Sequence, residues 1–454
     1  MPKTQMDLTQ GPIFKKILLF SLPILLGAIV TELYHVVDSV IVGQFIGANA
    51  LAAVSASSPS ANIINMFLIG LQTGASVVVA QKMGSRDRSH MDDAISTITT
   101  LTLLSGFIIL IGGVFTAKPI LRGLNTPTEI FDDAAVYMTV IFIGAVGNLI
   151  YNIGSGVLRG LGDSTWPFFF LVLCAVLNLV LDVIAVLVLN IGVAGVAAAT
   201  AIAQFISGIG IVIRLNTSNY GAKVDLRKLR IVKAEAGLLA SVALPAAVQN
   251  IGNTLAALFM QSYVNFFGAN FAAANNIVNK LESFSTIPIA AVSAAVCTFT
   301  AQNIGSGQVQ RVHKGINQSN LFLLALGCVL CTGMYFTRDY LPYIFTTESE
   351  VVLTAARGIG IMCFVCTFNG FDRVLLNAMR AAGRSVVPMI TAQFGCFSRI
   401  LFGWLIAVRV NNSDGIFHSL LLAAFARMAA IAVYYYIGSG KQAIDRAARN
   451  MAQK

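Results

Sequence analysis

The chain repeats itself. Pro23, the run Gly47-Ala48-Asn49-Ala50, Ala80-Gln81 and Gly84-Ser85 return as Pro245, Gly268-Ala269-Asn270-Phe271, Ala301-Gln302 and Gly305-Ser306. Leu158-Arg159, Gly162 and Pro167 return as Met379-Arg380, Gly383 and Pro388. Gln81 and Gln302, Arg159 and Arg380, and Pro167 and Pro388 are each 221 residues apart. Between these landmarks lie apolar runs such as 17–30, 101–115, 168–181 and 321–334. With weakly polar flanks, each approaches the roughly 20 residues that cross a bilayer as a helix. A hydrophobic fraction of 56%, only 11% charged residues and a mean hydropathy of +0.78 exclude a soluble domain of this length.

The expected fold is therefore an all-α membrane protein with twelve transmembrane helices in two pseudo-symmetric six-helix lobes. The first six spans are read near 14–44, 50–82, 92–117, 131–160, 164–190 and 193–215. The second six are read near 234–267, 270–303, 313–337, 350–381, 384–409 and 414–438. An even number of spans per half gives the lobes the same orientation, related by an axis along the membrane normal. The domains are then an N-terminal lobe at 1–215, a basic linker at 216–233, a C-terminal lobe at 234–440 and a tail at 441–454. Prolines 23, 59, 167, 245, 288 and 388 fall in or at the ends of spans, where they permit bends. Passive kinks and helices that change shape during transport both fit.

The net charge of +10 suggests nucleic acid until its placement is considered. Lys3, Lys15, Lys16, Lys82, Arg86, Arg88, Arg159, Arg214, Lys223, Arg227, Lys228, Arg230, Lys233, Arg311, Lys314, Arg380, Arg384, Lys441, Arg446, Arg449 and Lys454 fall in the termini or in alternate loops. The opposite loops carry only Lys118, Arg122, Arg338 and Arg409. This bias puts both termini of a multi-pass membrane protein in the cytoplasm. The charge serves topology and anionic lipid, and no nucleic-acid partner is expected. The first apolar run reads as span one, not as a cleaved leader. Cys328-x-x-Cys331 and Cys363-x-x-Cys366 have metal-like spacing but sit inside spans without histidines, so they read as buried small hydrophobes.

An ionisable group at bilayer depth costs at least a few kcal/mol and asks for a reason. Span one carries Glu32, His35 and Asp38 at steps of three, with Tyr34 one turn before Asp38. Span five carries Asn178 and Asp182 on one face, span four Asn148 and Asn152, and span six Thr200. This first-lobe set offers hard oxygens to a sodium ion, or two carboxyls that share a proton. An interhelical hydrogen-bond network is the competing reading. In the second half Lys280, Glu282, Arg357, Asp372, Arg373, Arg399 and Arg427 mix both signs, so internal ion pairs are expected. The repeat partners of Asp38 and Asp182 are Phe259 and Gly403, which assigns coupling to the first lobe. Gln249, Asn250, Asn253, Met260, Asn275 and Asn276 in spans seven and eight suit either a cavity for a partly apolar solute or interhelical contacts.

The stretch Phe14-Lys15-Lys16-Ile17-Leu18-Leu19-Phe20-Ser21-Leu22-Pro23, followed by Leu33-Tyr34-His35-Val36-Val37-Asp38-Ser39-Val40-Ile41-Val42-Gly43, resembles the opening of the multidrug and toxic compound extrusion (MATE) transporters. Leu158-Arg159-Gly160-Leu161-Gly162-Asp163 and Ala301-Gln302-Asn303-Ile304-Gly305 add to the resemblance, which covers essentially the whole chain. It implies a secondary transporter, not an enzyme, that exports drugs or organic cations by antiport with H+ or Na+. It implies no cofactor beyond the coupling ion. The ligands of a first-lobe ion site map onto Asp38, Asn152, Asn178, Asp182 and Thr200, with sodium placed at Asp38, Asn178 and Asp182. Glu32, His35, Tyr34 and Asp372 are candidates for coupling or gating. Some relatives place a Glu in span seven, where this chain has Gln249 and Asn250. A lipid-linked-precursor or polysaccharide flippase of the same superfamily is the alternative, kept open by Arg357, Arg373, Arg399 and Arg427. An integral-membrane enzyme would need a rim site that the scattered histidines 35, 90, 313 and 418 do not offer. The remaining expected partners are membrane lipids, and a monomer is expected.

Overall fold

A computed structural model describes residues 4–86, 88–218 and 220–452. Lys3 and Lys454 lie outside the described residues, as does the side chain of Arg88. Among the described residues, twelve helices are long and apolar enough to cross a membrane. The first six are α1 (Ile13–Ile46), α2 (Asn49–Ser85), α3 (His90–Gly123), α4 (Thr128–Gly160), α5 (Thr165–Val188) and α6 (Val193–Thr217). The second six are α7 (Lys233–Phe266), α8 (Ala269–Gly305), α9 (Val309–Thr337), α10 (Ser349–Ala381), α11 (Val386–Val408) and α12 (Gly415–Ile437). A short helix, α13 (Gly440–Ala452), follows. Every span matches its reading in the sequence, and α3 differs most, running six residues further through Lys118 and Pro119.

The chain divides into two compact units, Met1–Asp7 with Leu22–Ala247, and Leu8–Ser21 with Val248–Lys454. The boundaries inside α1 and α7 fall beside Pro23 and Pro245, the first landmarks of the repeat. A proline removes one backbone hydrogen bond and lets the helix bend there. The residues between α6 and α7 are not a free tether. Ser96 Oγ accepts from Arg230 N at 3.0 Å, Thr97 Oγ1 accepts from Val232 N at 3.0 Å, and Arg230 pairs with Asp93, which pins the segment along α3.

Within the first unit α4 is central. Apolar solvent gives helices no hydrophobic reason to associate, so close packing through small residues must supply it. A Cβ on Gly147 would lie 2.7 Å from the Phe205 nitrogen, and Gly144 and Gly208 sit as tightly against Ala201 and the Gly147 carbonyl. The Ala/Gly run of α6 thus draws Thr200 into the interior beside α4 and α5. The outer faces stay apolar: Phe107, Ile108 and Phe115 of α3 are 65%, 68% and 75% exposed, as lipid-facing side chains should be.

The repeat is visible in local geometry. Gly47 and Gly268 both adopt positive φ, 115° and 88°, at the turns opening α2 and α8, a conformation open to residues without a Cβ. Helices α1, α5, α11 and α12 all end in a widened turn with a five-residue hydrogen bond. These bonds are Gly47 N to Val42 O, Leu189 N to Ile184 O, Arg409 N to Trp404 O and Gly438 N to Val433 O. Such turns recur at functional sites. Asp38 lies four residues before the first of them and Asp182 two residues before the second.

Helix α13 rests Ile444 and Ala448, both fully buried, on the second unit. His313 of α9 bridges Asp445 at 2.6 Å and the Tyr435 hydroxyl at 3.1 Å. The tail of the sequence reading is therefore a docked helix, because its apolar residues recur at four-residue spacing.

Candidate functional site

Two helix ends and one helix start meet in the first unit. Asp38 near the end of α1 and Asp182 near the end of α5 carry carboxyls within hydrogen-bonding reach of each other. Asp182 is fully buried and Asn178, one turn earlier, is 2% exposed. The Asn178 amide nitrogen donates to Asp182 Oδ2 at 2.8 Å. Its oxygen accepts from the Thr200 hydroxyl at 3.1 Å and from the Thr200 backbone N–H at 3.2 Å. Tyr34 hydrogen-bonds Thr200 and stands beside Asp38. Two buried carboxylate atoms, Asp38 Oδ1 and Asp182 Oδ1, have no partner among the described residues. A pocket of about 170 Å³ between α1 and α5 is lined by Tyr34, Asp38, Asn178 and Asp182 amid valines and leucines.

Tyr137 of α4 was not singled out from the sequence. It is buried and within electrostatic reach of both acids. Its signal was a lone phenol inside an apolar run, which chain order separates from every other member of the cluster. Asn152 stands apart. It donates to Asn148 Oδ1 at 2.7 Å, and Asn148 donates to Asn65 Oδ1 at 2.8 Å. Fifteen residues along α4 put Asn152 about 22 Å from the level of Tyr137. Glu32 and His35 are exposed, with the His35 ring 5.0 Å from the Tyr34 ring and its charge within reach of Asp38.

The second unit replaces this arrangement at the same frame. Met260 is buried with its thioether against Gly403, the partner position of Asp182, and Phe259 is exposed. Gln249 is buried and accepts from Arg380, which also donates to Asn377 Oδ1 at 3.2 Å. Asn253 is exposed and accepts from the Cys396 thiol at 3.1 Å. Asn275 is buried, Asn276 exposed and Asn250 partly buried. Asp372, fully buried, pairs with Arg427 and not with its neighbour Arg373. Arg357 pairs with Asp414 at 3.2 Å.

The cysteine reading needs correcting at Cys328, which is exposed on α9, and at Cys331, which is half-buried. Cys363 and Cys366 are buried, and Cys331 lies 3.4 Å from Cys363 between the sulfurs. No group of three or more His, Cys, Asp or Glu fit to hold a metal occurs among the described residues.

Twelve apolar spans among the described residues and an internal repeat define a multi-pass membrane protein of two compact units. A family model described as MatE matches residues 23–184 and again 245–405, one match per repeat. The chain belongs to the MatE family and is a multi-pass membrane transporter, not an enzyme. It is 30% identical over 390 residues to the probable multidrug resistance protein YpnP of Bacillus subtilis, covering 85% of this chain and 86% of that one. It is 28% identical over 436 residues to a FAD transporter of Shewanella oneidensis, covering 90% and 94%. Among solved structures, a MATE protein in a bent conformation matches with TM-score 0.90 at 22% identity over 98% of both chains. A MOP superfamily transporter from Pyrococcus furiosus matches with TM-score 0.86 at 22% identity over 96% of this chain and 98% of that one.

Proposed function

We propose that the protein exports small drug-like organic solutes across the plasma membrane in exchange for protons bound at Asp38 and Asp182. The observation that carries this is the placement of both acids on one pocket, each with a buried Oδ1 that has no partner among the described residues. Two neighbouring acids in a low-dielectric setting do not both stay ionised, so such a pair takes up a proton. Sodium fits less well, because the Asn178 oxygen is already used by Thr200 and only two carboxylates are at hand. Tyr34, Tyr137 and Thr200 hold the acids in place and keep water out. Uptake of a proton by this pair would change the α1–α5 contact and the bend of α1 near Pro23, and release solute outward as the lobes reset access. The names of relatives such as YpnP support drug export. The flippase alternative is disfavoured because Arg427 and Arg357 are committed to Asp372 and Asp414.

The test is ethidium transport in everted membrane vesicles, with pH and sodium gradients imposed separately. A pH gradient alone should drive wild-type transport, and Asp182→Asn or Asp38→Asn should abolish it while the protein stays folded in the membrane. Transport driven by sodium alone, or undiminished in both variants, would overturn the assignment.

A further inference from the structure

We infer that the second unit holds a binding site for an anionic group, a phosphate or carboxylate, carried by the exported solute. The inference rests on the export reading and names a substrate class for it. Arg399 of α11 and Arg427 of α12 sit near the midpoints of their spans, nine and ten residues from the far ends. Neither is fully buried. An arginine at that depth is not left exposed to acyl chains, so its open side faces water or a ligand. Arg427 is held by Asp372 and by Asn369 Oδ1. Arg373 lies within electrostatic reach of Asp372, Arg427 and Glu282. Gly395 of α11 packs on the Arg427 stem, which lies 3.2 Å from where a Cβ would stand, and Arg399 lies one turn further along α11. Asp372 and Glu282 both lie within reach of Arg373 and Arg427, and Arg380 adds a further guanidinium within reach of Arg373.

The uncommitted charge falls on Arg399, whose buried Nε has no partner among the described residues. Asp372 Oδ1 is likewise buried without a partner, so the Asp372–Arg427 pair is incompletely satisfied. Arg399 occupies the repeat position of Asn178, and Gly403 that of Asp182. The frame that holds acids in the first unit holds a cation in the second. The planar fork of a guanidinium matches a carboxylate or phosphate in two parallel hydrogen bonds. A single uncommitted guanidinium, Arg399, suits one such group and is too little for the pyrophosphate of a lipid-linked precursor. Asp372 then acts as the resident anion that an incoming group competes with for Arg427.

Riboflavin and flavin mononucleotide test this, since they share one ring system and differ by a single phosphate. Their binding to the full-length protein in nanodiscs is read by flavin fluorescence, with inorganic phosphate and acetate as competitors to separate the two anion chemistries. Flavin mononucleotide should bind at least about tenfold more tightly than riboflavin. Arg399→Gln should erase that ratio. Asp372→Asn, which frees Arg427, should enlarge it several-fold. Equal binding of the two flavins to wild type, or a ratio unchanged in both folded variants, would overturn the inference. Because ethidium carries no anionic group, its proton-driven export tests the coupling reading separately: export that persists while the flavin ratio is absent sinks only the anion site.

Discussion

Gly156→Ala should destabilise the unit that carries the carboxyl pair. A Cβ at this position of α4 would stand 2.4 Å from the Gln72 carbonyl oxygen of α2 and 3.2 Å from its carbon. A comfortable carbon–oxygen contact is about 3.3 Å, so two helix backbones would have to part by nearly an ångström. Backbone cannot rotate away as a side chain can, and overpacking of this kind costs about 1–3 kcal/mol. The better helix propensity of alanine returns about 1 kcal/mol at most, and because the clash is with backbone the cost falls in the upper part of its range, so a net loss of about 1–2 kcal/mol remains. Gly112→Ala on α3 is the matched control, because nothing lies within 4 Å of a Cβ there. Thermal unfolding of the purified variants decides the point. At about 2–4 °C per kcal/mol, Gly156→Ala should melt some 2–8 °C below wild type. Gly112→Ala should melt at or slightly above wild type. Equal melting temperatures for the two alanine variants would refute the claim that close α2–α4 backbone contact fixes this unit.

Other expectations follow from single contacts. Tyr137→Phe should keep the fold but slow proton-driven export several-fold, since a hydroxyl beside both acids is lost; an unchanged rate with a Tyr34→Phe control would count against a role for Tyr137. Glu235→Gln should lower stability by about 3 kcal/mol, because Lys82, 15% exposed and 2.7 Å away, would lose its partner; chemical or thermal denaturation checks it. Tyr220, between α6 and α7, has its phenol pushed above the ordinary value by burial and by the Asp163 carboxylate. A raised folded value means the folded state keeps the proton, so this contribution is present below pH about 10 and is lost as pH rises beyond it. Tyr220→Phe should therefore show a shallower fall in melting temperature above pH 10 than wild type.

Much of this was legible in the chain itself. The twelve spans are set by hydropathy, and the doubling by landmark residues such as Arg159 and Arg380. Asp38, Asn178, Asp182 and Thr200 could be grouped because an acid in a span is costly wherever it points, so its company can be inferred. Tyr137 could not, because a phenol tolerates the membrane interior and gives no alarm. The separation of Asn152 from the acids was hidden for another reason: residue type says nothing of depth along a 33-residue helix. Asp372 and Arg427 are 55 residues apart, and with Arg373 adjacent in sequence only packing could choose between the partners. The apolar spacing of Ile444 and Ala448 was readable, but what they dock on was not.

The most direct measurement is proton release on solute binding. When ethidium is added to purified protein in weakly buffered solution near neutral pH, a pH-indicator dye should record about one proton released per protein. Asp182→Asn and Asp38→Asn should release none while still binding the dye. Binding without release in wild type, or release from both variants equal to that of wild type, would contradict an exchange carried by these two carboxyls.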